Sequence, residues 1–155
     1  MKLKNGEIFN AREPLTKLME AKFPVKTAFG LVKMARKLDE HLQDIEKVRQ
    51  GLFQTYGTPD PKNMTQIRVE QYIPDPDEGQ EPTDAGVRMK ENPKWPKFRE
   101  ELTELFNQEV EVVLEPVALP EKVAATCDKC SHNMDKALEV EPATMMALEK
   151  FITVE

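Results

Sequence analysis

The chain has 155 residues, a length typical of one domain or of one domain with a small appendage. Apolar residues make up 39% and charged residues 32% of it, against roughly 45–50% and about 25% in globular chains, so we expect a modest core. No run of about 18 apolar residues occurs, so no membrane-spanning helix is expected. Two cysteines are too few for a disulfide-stabilised secreted scaffold, and the first lysines precede no apolar stretch of the kind found in secretory signals. We therefore expect a cytoplasmic protein.

The net charge of −6 is unevenly distributed along the chain. Residues 1–56 contain eleven Lys and Arg and seven Asp and Glu, a net charge of +4, and the remaining residues carry −10. This distribution argues against the whole chain lying along nucleic acid phosphates. It leaves open a basic face on the first segment, packing of the basic front against the acidic rear within the chain, or charged faces that complement one another in solvent.

The first predicted elements are a tight turn and a short helix. The dipeptide Asn5-Gly6 favours a type I′ turn, because both central residues of that turn need a positive φ. Asn10 is a suitable N-cap for the helix, and Pro14 would then lie in its first turn.

The clearest pattern predicts a long amphipathic helix from Val25 to Tyr56, ended by Gly57. Its apolar residues recur at alternating intervals of three and four, which is typical of a coiled-coil seam. A helix of this length extends about 48 Å, and no other predicted helix is long enough to cover it. We therefore expect the seam to bind a partner protein or a second copy. The seam residues are Leu31, Ala35, Leu38, Leu42, Ile45, Arg49 and Leu52.

Arg49 interrupts the apolar seam and has two interpretations. A cation inside the seam would specify the register or the partner at a cost in stability. Alternatively, its long side chain extends past the apolar contacts to water, near the end of the helix, and has little effect.

After this helix the sequence predicts short strands and further helices. Residues 67–73 alternate as a strand does, residues 74–86 form an acidic, proline-rich segment predicted to be a mobile loop, and residues 87–89 return as a partner strand. A helix is predicted from Pro96, followed by a strand at residues 110–114 and a last helix over residues 142–152.

The elements together predict an α+β fold. It has an N-terminal helical hairpin with one long helix, a small antiparallel sheet and C-terminal helices. We expect two regions, a helical hairpin at residues 1–57 and a small α+β part at residues 58–155.

Cys127, Cys130 and His132 form the only constellation with a chemical spacing. Two thiolates three residues apart can bind one tetrahedral zinc ion, with His132 as a third ligand. Asp128, His41, a residue of a symmetric partner, or a four-cysteine site shared across a dimer could complete the site. A redox-active pair and two incidental thiols in a loop are the alternatives. Apart from this candidate zinc site, we expect no cofactor and no catalytic residues.

Two stretches resemble a family of small, uncharacterised proteins encoded by tailed bacteriophages and prophages. The first comprises residues 1–8 and the opening of the long helix at residues 23–31 (FPVKTAFGL), and the second is the tail at residues 141–152 (EPATMMALEKFI). With residues 98–114 the resemblance covers about two thirds of the chain, and residues 127–133 depart from it. It implies a phage gene product acting in the cytoplasm of a bacterial host or in the virion, and it implies no reaction.

These observations lead to a function hypothesis with two alternatives. The first is a non-enzymatic phage-type adaptor or regulator that binds a host or phage protein through the long helix. A structural or assembly component of the virion is one alternative. A nucleic-acid-binding regulator with a zinc knuckle is the other, using lysines of the basic front segment, namely Lys22, Lys26, Lys33, Lys37 and Lys47.

Overall fold

The computed structural model describes residues 1–75, 89–130 and 132–154. The helices are α1 (Asn5–Met19), α2 (Val25–Tyr56), α3 (Trp95–Asn107) and α4 (Pro142–Ala147). The strands are β1 (Lys2–Lys4), β2 (Thr58–Asp60), β3 (Asn63–Arg68), β4 (Tyr72–Pro74), β5 (Met89–Glu91), β6 (Glu109–Glu111), β7 (Val117–Leu119), β8 (Lys122–Thr126), β9 (Asn133–Ala137) and β10 (Ile152–Val154). They pair in two-stranded sheets, of which β7–β10 is parallel and the other described pairs are antiparallel. The α+β class is confirmed, and α2 has the predicted bounds.

The chain divides into two compact units. Unit 1 comprises Met1–Ile45 and Asn107–Glu155, and unit 2 comprises Glu46–Phe106. The predicted boundary at residue 57 is therefore not the observed one. The reason is long-range pairing, because β1 near the start of the chain pairs with β6, about a hundred residues later.

The core of unit 1 is assembled from both ends of the chain. The buried apolar residues of this unit lie on β1, on α1, on one stripe of α2 and on the segments after residue 107. They are Leu3, Ile8, Ala11, Leu15, Leu18, Leu31, Met34, Leu38, Leu42, Ile45, Val112, Leu119, Leu148, Phe151 and Ile152. Burial of such side chains contributes roughly 25 cal/mol per Å² of apolar surface, so this stripe of α2 is a main source of the unit's stability.

The predicted turn at the N-terminus is wrong, because β1 leads directly into α1. The helix begins at Asn5 rather than at the expected cap, Asn10. The backbone N–H of Lys4 donates to the Glu7 carboxylate at 2.9 Å, which is the reciprocal half of a capping box. The N–H of Asn5 donates to the Gln108 carbonyl oxygen at 2.9 Å. A tertiary contact therefore helps to fix the start of the helix, and local turn propensity does not decide it.

The C-terminal helix is shorter than predicted. Helix α4 ends at Ala147, and the chain turns so that Ile152–Val154 forms β10, parallel to β7. The prediction of one helix over residues 142–152 is therefore wrong in its second half. The three residues of β10, Ile152, Thr153 and Val154, are all β-branched and fit a strand better than a helix.

Unit 2 contains the last residues of α2, two hairpins and most of α3. An aromatic cluster links α2 to α3, in which the rings of Phe53 and Tyr56 lie 5.2 Å and 6.1 Å from that of Phe98. The Tyr56 hydroxyl donates to Glu101 at 2.9 Å. After Tyr56 the helix ends at Gly57, where a Cβ would collide with backbone and leave no room for a side chain.

The predicted strand at residues 67–73 is divided between two hairpins of unit 2. Strand β3 ends at Arg68 and pairs with β2, and β4 begins at Tyr72 and pairs with β5. The return strand predicted at residues 87–89 overlaps β5 (Met89–Glu91) only at Met89, and residues 87–88 lie outside the described residues. Most of the predicted mobile loop, residues 76–86, lies outside the described residues.

Candidate functional site

Four residues of the predicted seam are buried within unit 1. Leu31, Leu38, Ile45 and Leu42 are 1%, 1%, 3% and 5% exposed, and together they form what we call the inner face of α2. The expectation that this stripe stays uncovered in a single chain is wrong, because all four side chains are buried, and residues of α1 lie beside Leu38 and Leu42. These side chains are part of the core and cannot contact a partner in this fold.

The other seam residues do not extend that stripe into a partner surface. Ala35 is half-buried in unit 1, and Arg49 and Leu52 are half-buried in unit 2. The Arg49 guanidinium lies 5.1 Å from the centre of the Phe53 ring and 3.1 Å from the Glu46 carboxylate. Arg49 therefore contacts residues of its own helix, through a cation–π contact and an ion pair.

A second apolar stripe of α2 is exposed. Val25, Phe29 and Val32 are 86%, 68% and 42% exposed, and their spacing of four and three residues places them on one side of the helix. We call these residues, with the exposed Lys26 and Lys33 beside them, the outer face of α2. This face was not predicted, because its three apolar residues cover only two turns of the helix, whereas the buried stripe is longer. The signal was available in the heptad spacing of Val25, Phe29 and Val32 themselves.

The first half of α2 is strongly cationic. Residues 25–38 contain Lys26, Lys33, Arg36 and Lys37 and no Asp or Glu. The first turn of α2 contains no acidic residue, although the free N–H groups and the dipole of a helix N-terminus favour negative charge there. The positive potential of this segment is therefore not balanced by acidic residues of the segment itself.

A groove lies beside this segment, within unit 1. Its volume is about 380 Å³, and it lies between α2 and residues 113–118. Three lysines of one helix face line it, Lys26, Lys33 and Lys37, and the Lys37 ammonium donates to the Val113 carbonyl oxygen. Gly30 permits this close approach, because a Cβ there would lie 3.2 Å from a methyl group of Val117.

The two cysteines lie at the tip of the hairpin formed by β8 and β9. The backbone N–H of Cys127 donates to the His132 carbonyl oxygen at 2.9 Å and closes the tip. The Cys130 thiol and the backbone N–H groups of Lys129 and Cys130 hydrogen-bond to the Cys127 sulfur, and these bonds lower the pKa of that thiol. Both cysteines are free thiols.

The structure brings together two of the three predicted metal ligands. The Nδ1 atom of His132 lies 3.1 Å from the Cys130 carbonyl oxygen, so this ring nitrogen contacts the backbone. Among residues 1–75, 89–130 and 132–154, no three His, Cys, Asp or Glu side chains form a group that could hold a metal ion. The predicted three-ligand set of Cys127, Cys130 and His132 is therefore not formed within the described chain.

No protein-family model, curated protein or solved structure matches this chain. The resemblance to phage and prophage proteins therefore stays a prediction. In the part of the chain that the structure describes, no helix is both long enough and apolar enough to span a bilayer.

Proposed function

We propose that the protein is a non-enzymatic adaptor or regulator that binds an acidic amphipathic helix of a partner protein through the outer face of α2. The observation that carries the proposal is the exposure of Phe29 between two further apolar side chains of the same face. A single exposed apolar residue is ordinary on a protein surface, but an aligned set at heptad spacing is typical of a helix-binding surface.

The apolar residues of the outer face supply the contact area. An aromatic side chain such as Phe29 buries about 150–250 Å² when it is covered, and aromatic residues dominate the energetics of many interfaces. Val25 and Val32 lie one turn before and roughly one turn after it. A partner helix with apolar residues at matching intervals could pack along this stripe.

The cationic residues select the charge of the partner. Lys26 and Lys33 flank the apolar stripe, and the segment around them lacks carboxylates. An acidic partner would place carboxylates beside these lysines and beside the helix N-terminus, which accelerates association and excludes basic competitors.

The same charges argue against pairing of two copies through this face. In a twofold antiparallel arrangement centred between Phe29 and Gly30, Lys26 of one copy faces Lys33 of the other. Like charges opposed in this way are destabilising. The partner is therefore a different protein, and the resemblance to phage proteins suggests a host or phage protein in the bacterial cytoplasm.

The proposal can be tested by site-specific photo-crosslinking in bacterial cells. A photoreactive amino acid at position 29 should capture a protein whose crosslinked segment is an acidic amphipathic helix, as identified by mass spectrometry. The matched control is position 64 in unit 2, because Met64 is 80% exposed but lies outside the outer face. Equal capture at both positions, or capture of a basic segment at position 29, would contradict the proposal.

Binding of the captured segment as a synthetic peptide gives the affinity. Phe29→Ala should weaken it by at least tenfold, which corresponds to about 1.4 kcal/mol and is typical of a central interface residue. Met64→Ala should leave the affinity unchanged. An unchanged affinity of the Phe29 variant would reject the outer face as the site.

A second candidate function is nucleic-acid binding by the lysines of the groove. The observation that favours it is the alignment of Lys26, Lys33 and Lys37 along one side of α2. Affinity for a short DNA duplex that falls steeply with salt would support this candidate. It is separated from the first by Phe29→Ala, which should leave DNA affinity unchanged and reduce only peptide binding.

A further inference from the structure

The hairpin of β8 and β9 has little support from the rest of its unit. Every residue of β9 is exposed, and β8 alternates between exposed and half-buried residues with none fully buried. The two strands form a sheet of their own. An isolated two-stranded hairpin is at best marginally stable in water, so an additional constraint would stabilise this hairpin.

The tip of this hairpin has the local geometry of a metal knuckle. Cys127 and Cys130 are three residues apart in the turn between the paired residues Thr126 and Asn133, which the Cys127 N–H closes by donating to the His132 carbonyl oxygen at 2.9 Å. The Cys130 thiol hydrogen-bonds to the Cys127 sulfur within this turn. Two backbone N–H groups donate to the Cys127 sulfur, and such bonds stabilise a thiolate and orient it as a ligand. Cys127 is half-buried and Cys130 is exposed, so a metal ion can reach both.

We propose that Cys127 and Cys130 form one half of a tetrahedral four-thiolate zinc site, and that the same two residues of a second copy form the other half. Zinc in a structural site takes four ligands, and soft thiolates suit it. These residues are the only cysteines of the chain, so a site of four thiolates requires two chains. Among the described residues no other side chain joins the pair as a third ligand.

The charges at the tip permit two copies to approach. Asp128 and Lys129 lie between the cysteines and carry opposite charges, so two tips related by a twofold axis do not repel one another. This differs from the outer face of α2, where the flanking charges are alike. On binding, four thiols lose their protons to solvent and four Zn–S bonds form, which gives a site with a net charge of −2.

The first test measures mass and zinc content of the full chain under reducing conditions. Adding half an equivalent of Zn²⁺ should convert the 17.8 kDa monomer into a dimer, measured by light scattering, and a chelator should reverse this. The bound metal should amount to one zinc per two chains. Uptake of one zinc per monomer, or a mass that zinc leaves unchanged, would overturn the proposal, as would an intramolecular disulfide that persists in a reducing glutathione buffer.

Binding of Co²⁺ in place of Zn²⁺ identifies the ligands, because the absorption spectrum of Co²⁺ depends on them. Co²⁺ should give the intense thiolate-to-metal absorption of a tetrahedral four-sulfur site, saturating at half an equivalent per chain. Cys127→Ser and Cys130→Ser should each remove both this spectrum and the dimer. The matched controls are His132→Ala and Phe29→Ala, which should retain both, the second because the outer face of α2 is not involved. A dimer that survives in the cysteine variants would reject the site.

Discussion

The two faces of α2 share an apolar heptad spacing but have opposite environments. The inner face, with Leu31, Leu38, Leu42 and Ile45, is covered by other segments of unit 1, whereas the outer face, with Phe29 at its centre, is open to solvent. Heptad spacing therefore identifies apolar stripes on a helix but does not tell which of them the chain itself covers. That choice depends on the other segments of the fold, such as α1, which lies beside Leu38 and Leu42.

The largest expected change in the free energy of unfolding comes from shortening a side chain on the inner face of α2, and the outer face provides the comparison. Leu38→Ala should reduce the free energy of unfolding by about 2–5 kcal/mol, because it leaves a cavity in a closed core. Phe29→Ala, which removes a larger side chain from the open face, should change it by no more than about 0.5 kcal/mol. Urea denaturation of both variants measures the difference. Equal destabilisation would show that the outer face is also covered in the folded chain.

A second comparison uses the two glycines inside α2. Gly51→Ala should increase the free energy of unfolding by about 0.5–1 kcal/mol, because alanine favours the helix and a Cβ at position 51 meets no neighbour within 4 Å. Gly30→Ala should give a smaller gain or a loss, because its Cβ crowds Val117. Combining Val117→Ala with Gly30→Ala should restore the gain in the free energy of unfolding, because it removes the side chain that crowds the new Cβ. Equal gains at both positions in the wild-type background would contradict the close approach.

A third change separates stability from binding on the outer face. Lys26→Glu should raise the free energy of unfolding by about 0.5 kcal/mol, because an acid in the first turn interacts favourably with the helix dipole. The same change should weaken binding of an acidic peptide, because it removes a cation from the binding face. Lys47→Glu, outside the first turn, is the control for stability. A stability gain without loss of binding would argue that Lys26 does not contact the partner.

The smallest expected change in the free energy of unfolding comes from removing a partly exposed ion pair, that of Glu7 with Lys150. The Lys150 ammonium and then the Lys4 backbone N–H hydrogen-bond to Glu7 and lower the pKa of its carboxyl group. The stabilisation is therefore present above the unfolded pKa of about 4.3 and is lost as the pH falls through the lower folded pKa. Glu7→Gln should cost about 0.5 kcal/mol at pH 7, since the pair is partly exposed.

Denaturation at pH 7 and at pH 3 tests this dependence. The difference between the wild type and Glu7→Gln should shrink at the lower pH. Glu13→Gln is the control, because Glu13 lies on the same helix and forms no ion pair with a described residue. A difference that is constant with pH would show that the carboxylate charge does not matter.

The sequence predicted the elements whose signals are local. The bounds of α2 follow from its periodicity and from Gly57, and α3 follows from its apolar spacing after Pro96. Where long-range contacts decide, prediction failed. The start of α1 depends on Gln108, and the strand that replaces the end of the last helix depends on pairing with β7.

The candidate site was predicted only in part for a related reason. The cysteine spacing indicated a pair of ligands, and the hairpin does bring the two thiols together. His132 was expected as a third ligand from its proximity in sequence alone, but the direction of its ring is set by a bond to the Cys130 carbonyl oxygen. The spacing of Val25, Phe29 and Val32 indicates an apolar stripe, but the exposure of Phe29 follows from which side of α2 faces the core, and the spacing alone does not give that side.

The insertion of unit 2 between the two halves of unit 1 has a consequence for synthesis of the protein. As the chain leaves the ribosome, residues 46–106 are continuous and can fold as soon as they emerge. Unit 1, to whose core the inner face of α2 belongs, is complete only after residues 107–155 have also emerged, the last strand of which is β10. During that interval the nascent chain contains α1 and α2 without the other half of their unit, and such incomplete units expose apolar surface of the kind to which chaperones bind.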